Sequence, residues 1–218
     1  MHLVDSLDKS GLNSVCCHHE QAVAIAAEGY GRIKNSPGVA LVTTGPGGTN
    51  SVTGIAGAWL DSIPMLVLAG QVKRADITPT KDGVPTVRQI GLQELNVIDV
   101  VKPITKYAIT VLDEKEIRYH LEKAVYLSKH GRPGPVFVEI PLDVQAVEID
   151  PENLKSFSPA ELQEPKYNLD AGLMKKIVDL LQSAKRPLLL VGNGIRLAGG
   201  AEILEKVFGI NVPFSEQQ

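Results

Sequence analysis

The stretch VALVTTGPGGTNSVTGIAGAWLDSIPMLVLA, residues 39–69, decides the fold. It opens and closes on short runs, VALV and MLVLA, that are apolar on both faces, as strands covered by helices on each side must be. Between them Thr49–Leu60 repeats its apolar residues at helical spacing. A strand, a helix and a second buried strand make one parallel crossover unit.

Working outward, the same alternation continues in both directions. Further strands are expected at Ser14–Cys17, Lys106–Val111 and Val136–Ile140, and helices at Gln21–Ile33 and Glu114–Lys129. Leu3, Val4 and Leu7 keep helical spacing up to Gly11, which stands where a C-terminal cap belongs, so the chain opens inside a helix. The expected fold is α/β, a doubly wound parallel sheet with helices on both faces. From Glu148 to Asn168 the periodicity gives way to Pro151, Pro159, Pro165 and acids, the composition of an extended linker. The expected division is therefore a domain over 1–147, a linker over 148–168 and the beginning of a second α/β domain over 169–218. In that second part Asp170 caps a helix reaching about Ala184, Pro187–Val191 reads as a buried strand, a helix lies near Glu202–Phe208, and Ile210–Phe214 is a further candidate strand. Two strands are too few for a stable sheet, so this part is expected to be truncated.

Composition narrows the function. The 218 residues are 44% apolar and 22% charged, with a net charge of −3. Lys and Arg form no basic stripe, which argues against nucleic acid as a partner. No apolar run approaches the ~20 residues that span a bilayer, and residues 1–10 lack the pattern of a secretory leader, so cytoplasm is the expected compartment. The only cysteines, Cys16 and Cys17, have neither disulfide nor metal-site spacing and are expected to be buried strand residues.

Two motifs carry chemistry. HHEQAVAIAAEGYGR, residues 18–32, puts Glu20 between a strand end and a helix start. Glu20 either complements the positive end of the helix or, at the carboxyl edge of a parallel sheet, has a raised pKa and shares a proton with a ligand nitrogen. TTGPGGTNSVTG, residues 43–54, is either a plain glycine turn or a loop that offers backbone N–H groups to a polar ligand. It is not a Walker loop, since no Gly-Lys-Ser/Thr follows. Gln71 opens a long loop to Gly91, and loops of that length in compact domains are usually functional or disordered. GRPGPVFVEIPLDV, residues 131–144, reads as a turn feeding a structural strand. GNGIRLAGG, residues 192–200, is too loose a match for dinucleotide binding. His18 and His19 have no partners at ligand spacing, so packing or a surface position is expected, and no metal is expected on this chain.

Taken in order, HHEQAVAIAAEGYGR, LVTTGPGGTN, AWLDSIPMLVLAGQV, LQELNVIDVVKPITKY and GRPGPVFVEIPLDV resemble the pyrimidine-binding domain of the acetolactate synthase family. The resemblance covers about residues 1–147, and the region from Asn168 on is similar to the start of that family's central domain. It implies a thiamine-diphosphate enzyme that decarboxylates one 2-keto acid and joins it to another, as in branched-chain amino acid biosynthesis. By resemblance, Glu20 hydrogen-bonds the aminopyrimidine ring and sets its tautomer, so that the ring's own nitrogen can remove the thiazolium C2 proton. Thr43, Pro46, Gly47 and Asn50 line the pyrimidine pocket, and Gln93 sits beside the substrate. The resemblance also implies Mg²⁺ at the diphosphate and a homodimer or homotetramer with shared active sites.

The family's first strand with its Gly-rich loop and its Mg²⁺-binding GDG…N segment have no counterpart here, so this stretch is expected to be inactive alone. Leu92 stands where the family has Phe, and the loop after Gln71 is about ten residues longer, both in the region that shapes substrate choice. The other readings are a decarboxylase or oxidase of the same superfamily, or a non-catalytic nucleotide-binding or assembly module.

Overall fold

The computed structural model describes residues 2–162 and 170–208. The chain divides into two compact units, Met1–Pro159 and Ala160–Phe214. In the first unit, α1 spans His2–Lys9 and α2 spans Glu20–Lys34, leading into β1, Gly38–Val42. A short α3, Pro46–Asn50, runs into α4, Val52–Asp61, and β2 follows at Met65–Gln71. The minor strands β3, Thr80–Lys81, and β4, Val84–Pro85, precede α5, Val97–Val101. Then come β5, Tyr107–Thr110, α6, Ile117–Lys129, and β6, Pro135–Pro141.

The main sheet has the order β1-β2-β6-β5 and is parallel throughout. Because β6 lies inside it, all seven β6 residues are buried, which is why that strand needs an almost continuous apolar run. In register, Ala40, Val67 and Phe137 point to one face, where Ala24 and Ala27 of α2, Ile55 and Ala58 of α4, and Val97 and Val101 of α5 close over them. Leu66, Val136 and Val138 point to the other face, against Ala124 and Leu121 of α6 and Leu3 of α1. Helices lie on both faces, but the edge strand β1 is covered on one only: Val39 is 58% exposed, against the expectation that VALV is buried on both faces. A Cβ on Gly54 would fall 2.6 Å from that of Ala24, so these two small residues mark where α2 and α4 touch.

Two expected strands do not form. Residues 12–17 make no ladder, Val15 is 86% exposed, and Cys16 is exposed with Cys17 half-buried, so neither cysteine is a buried strand residue. Propensity cannot make a strand without a partner to bond, and the partner here is missing among the described residues. Pro187–Val191 fails for the same reason, with Leu188 and Leu190 more than 90% exposed. The helices of the second unit do form: α7, Ala171–Ser183, capped by the Asp170 side chain on the Gly172 and Leu173 amides; α8, Gly194–Leu197; and α9, Ala201–Phe208. The candidate strand Ile210–Phe214 lies outside the described residues, as does the linker beyond residue 162. The described part of that linker contains single 3-10 turns at Pro151–Asn153 and Pro159–Glu161. Among the described residues no helix is long and apolar enough to cross a membrane.

Candidate functional site

A helix that precedes a parallel strand in a crossover runs against it, so α2 begins at the carboxyl edge of the sheet. His19 caps it, Nδ1 accepting from the Gln21 amide at 3.1 Å, and Glu20 is its first residue. The loop leaving β1 at the same edge meets Glu20. Asn50 Nδ2 donates to Glu20 Oε2 at 3.1 Å, and a Cβ on Gly47 would lie 3.5 Å from Glu20 Oε1 and 2.6 Å from Thr43 Cγ2. Glu20, Thr43, Gly47 and Asn50, named from the sequence, therefore meet at one place, where a side chain at position 47 would collide with Thr43.

Pro46 stands exposed on the same turn, as the first residue of α3. Gln93 arrives from the far side. Gly45 has φ of +55° and ψ of −110°, and a Cβ there would fall 1.9 Å from the Gln93 carbonyl oxygen. Only glycine allows both that conformation and that approach. Gln93 is itself left-handed, with φ of +61°, and its side chain is exposed. Its neighbour Leu92 is 87% exposed.

The electrostatics of Glu20 run opposite to the expectation from the sequence. Its carboxyl is held below the ordinary value by the Asn50 hydrogen bond, then by its own backbone amide at the helix start; partial burial opposes this, and nearby His19 adds to it. The side chain is only partly covered, so donors outweigh desolvation. Glu20 thus stands ready as an anion with Oε2 engaged.

The raised carboxyl belongs elsewhere, to Glu139 in β6, which the sequence reading took as purely structural. Glu139 is 2% exposed, and burial pushes its pKa up to about 7, with Glu94 adding to the rise while Thr110 and Gln71 oppose it. Thr110 Oγ1 donates to Oε2 at 2.8 Å, whereas Oε1 is buried without a hydrogen-bond partner. One glutamate inside a strand of otherwise apolar residues, PVFVEIP, was the available signal.

Gln71 was also underread. Its Oε1 accepts from Thr44 Oγ1 at 2.6 Å and from the Val72 amide at 2.8 Å, and its Nε2 donates to the Leu95 carbonyl at 3.2 Å. The long loop beyond it holds the β3-β4 hairpin, turned by Asp82 and Gly83, both at positive φ. That Asp-Gly pair is a strong hairpin signal. His18 and His19 are exposed, and among the described residues no group of three His, Cys, Asp or Glu could hold a metal ion.

Residues 1–100 match the family described as thiamine pyrophosphate enzyme, N-terminal TPP binding domain. The chain is 36% identical to a probable acetolactate synthase large subunit of Methanococcus aeolicus over 218 aligned positions, covering 96% of this chain and 34% of that one. It is 35% identical to the acetolactate synthase isozyme 3 large subunit of Escherichia coli over 93% of this chain and 34% of the relative. With the chloroplastic acetolactate synthase of Arabidopsis thaliana the identity is 37%, over 85% of this chain and 26% of the relative. The chain thus spans about a third or less of the length of these relatives.

Proposed function

Since this chain belongs, through residues 1–100, to the thiamine pyrophosphate enzymes and carries their N-terminal TPP binding domain, we propose that it supplies the cofactor-activating glutamate of an acetolactate synthase-like enzyme. The observation that carries the proposal is that Glu20, Thr43, Gly47 and Asn50 meet at the sheet edge, a partly covered carboxylate beside a turn whose residue 47 must lack a side chain. A flat aminopyrimidine ring fits that chemistry, since its nitrogens call for a proton-exchanging oxygen and for backbone donors and acceptors beside it. When bound, thiamine diphosphate supplies the carbon nucleophile and electron sink for a 2-keto acid.

The chain's own residues do the preparatory work. Asn50 holds Glu20 Oε2, so Oε1, on the Gly47 side, is the oxygen that faces a ring nitrogen. Covering the carboxylate would exclude water from it, and that desolvation would raise its proton affinity from the low value of the open site. Glu20 then keeps a proton at Oε1 to share with the ring nitrogen and so controls which tautomer is held. Gly45 brings the Gln93 backbone against the turn, placing the Gln93 side chain at the rim for a substrate carboxylate or carbonyl. The diphosphate and its Mg²⁺ are assigned to parts of the full-length protein other than this chain, because the residues around Glu20 offer only a few hydrogen bonds, each worth about 1 kcal/mol net. This stretch alone is accordingly expected to be inactive. Exposed Ile25, Tyr30 and Ile33 on α2 support a homodimer or homotetramer, and cytoplasm remains the expected compartment.

The test is Glu20→Gln in the full-length protein. The expected result is an unchanged fold with activity lost by at least 100-fold; full activity in that variant would contradict the proposal. Leu92, exposed beside Gln93, favours a second reading in which the same cofactor serves another keto acid in a decarboxylase or oxidase. Identifying the product formed from pyruvate separates the two.

A further inference from the structure

Gln71 stands at the carboxyl end of β2, 5% exposed, between the two loops of the proposed site. Through Thr44 it holds the loop that leads into the glycine turn, and through the Leu95 carbonyl it holds the segment that carries Gln93. That carbonyl satisfies one of the two N–H groups of the side-chain amide, and the Thr44 hydroxyl and Val72 amide fill the two acceptor positions of Gln71 Oε1. A residue that bonds both loops while buried fixes their separation. Glu139 lies beside it on the neighbouring strand, since Ala69 and Gln71 of β2 pair with Glu139 and Pro141 of β6 and so share a face. The Gln71 amide is close enough to favour the charged carboxylate, yet Glu139 Oε1 completes no hydrogen bond of ordinary geometry.

We propose that Gln71 is a positioning residue that clamps the glycine turn to the Gln93 loop. The inference rests on the reading that these two loops flank one site. Because Gln71 is buried and bonds both segments, the distance between Gln93 and the glycine turn is set at a point remote from Glu20 in the sequence.

Hydrogen exchange of the 218-residue chain, with no thiamine compound present, tests this apart from the cofactor assignment. Amides of residues 43–48 and 91–96 are followed as protection factors corrected for intrinsic rates. Gln71→Leu should lower protection in both by about tenfold at pH 6, with the β2 and β6 amides unchanged. Thr44→Val, which removes only the hydroxyl that donates to Gln71 Oε1, should lower protection at 43–48 and spare 91–96. Protection that survives Gln71→Leu in either segment, or Thr44→Val at 43–48, overturns the proposal. Either failure would leave the Glu20 assignment standing, and loss of that assignment would leave these exchange results unchanged.

Discussion

Glu20 and Glu139 stand toward the same edge of one sheet, yet their protons are held in opposite senses. Glu20, at a helix start and partly open, is kept below the ordinary value by Asn50 and the backbone. Glu139, sealed inside β6 with one oxygen bonded to Thr110, is pushed up to about 7. Position on the fold does not decide proton affinity; the balance of donors against desolvation does. For catalysis the difference matters. The open glutamate has a value that an incoming ring can raise, whereas the buried one is already near neutrality.

The largest effect that sharpens this contrast is on activity. Glu20→Gln in the full-length protein should lower kcat by about 10²–10⁴-fold, the range for losing a positioned acid-base group, with the circular dichroism spectrum unchanged. An effect of similar size on stability but not on kcat would break the contrast, because it would make Glu20 a structural residue.

Next in size is the pH dependence of stability. Folding raises the Glu139 value from 4.5 to about 7, so the folded protein holds a proton there that the unfolded chain has released. The contribution is fully present below pH 4.5 and is lost as pH rises through 7. At about 1.4 kcal/mol per pH unit, the difference between those limits is roughly 3 kcal/mol. Urea denaturation should show Glu139→Gln relieved of that loss, gaining on the parent chain as pH goes from 5 to 8. An equal slope for both would mean that the carboxyl titrates normally.

Gly47→Ala comes third. The added methyl meets Thr43 Cγ2 at 2.6 Å and intrudes beside Glu20 Oε1, with an overpacking cost of about 1–3 kcal/mol. Calorimetry on the full-length variant should show thiamine diphosphate affinity lowered by about tenfold. The smallest effect is remote from both carboxyls. Gly83→Ala in the β3-β4 turn, at φ of +78°, should cost about 1 kcal/mol and leave the affinity unchanged.

The sheet was legible because VALV and MLVLA are apolar runs of strand length and each found a strand beside it, although only MLVLA is covered on both faces: β1 lies at the sheet edge and Val39 is 58% exposed. Ser14–Cys17 and Pro187–Val191 look similar in the sequence, but a ladder is a non-local object and neither run has a neighbour to bond among the described residues. The site was legible in its residues and not in its charges. Glu20 and Asn50 lie 30 positions apart, and the crossover between α2 and β1 that joins them is readable from periodicity. What reversed the expected pKa was the number of donors around Glu20 and the degree of its burial, which only the packed chain sets. Glu139 illustrates the converse: its burial followed from the strand, and its significance was hidden by the ordinary look of that strand. The Asp82-Gly83 hairpin, by contrast, was written in two residues inside a loop otherwise read only by its length.

The most direct measurement is a carboxyl titration by NMR of selectively ¹³C-labelled glutamates in the full-length protein, without and with saturating thiamine diphosphate. Without the cofactor, Glu20 should titrate below the usual glutamate range and Glu139 near 7; with it, Glu20 should move upward while Glu139 stays in place. A Glu20 signal that ignores the bound cofactor would contradict the account.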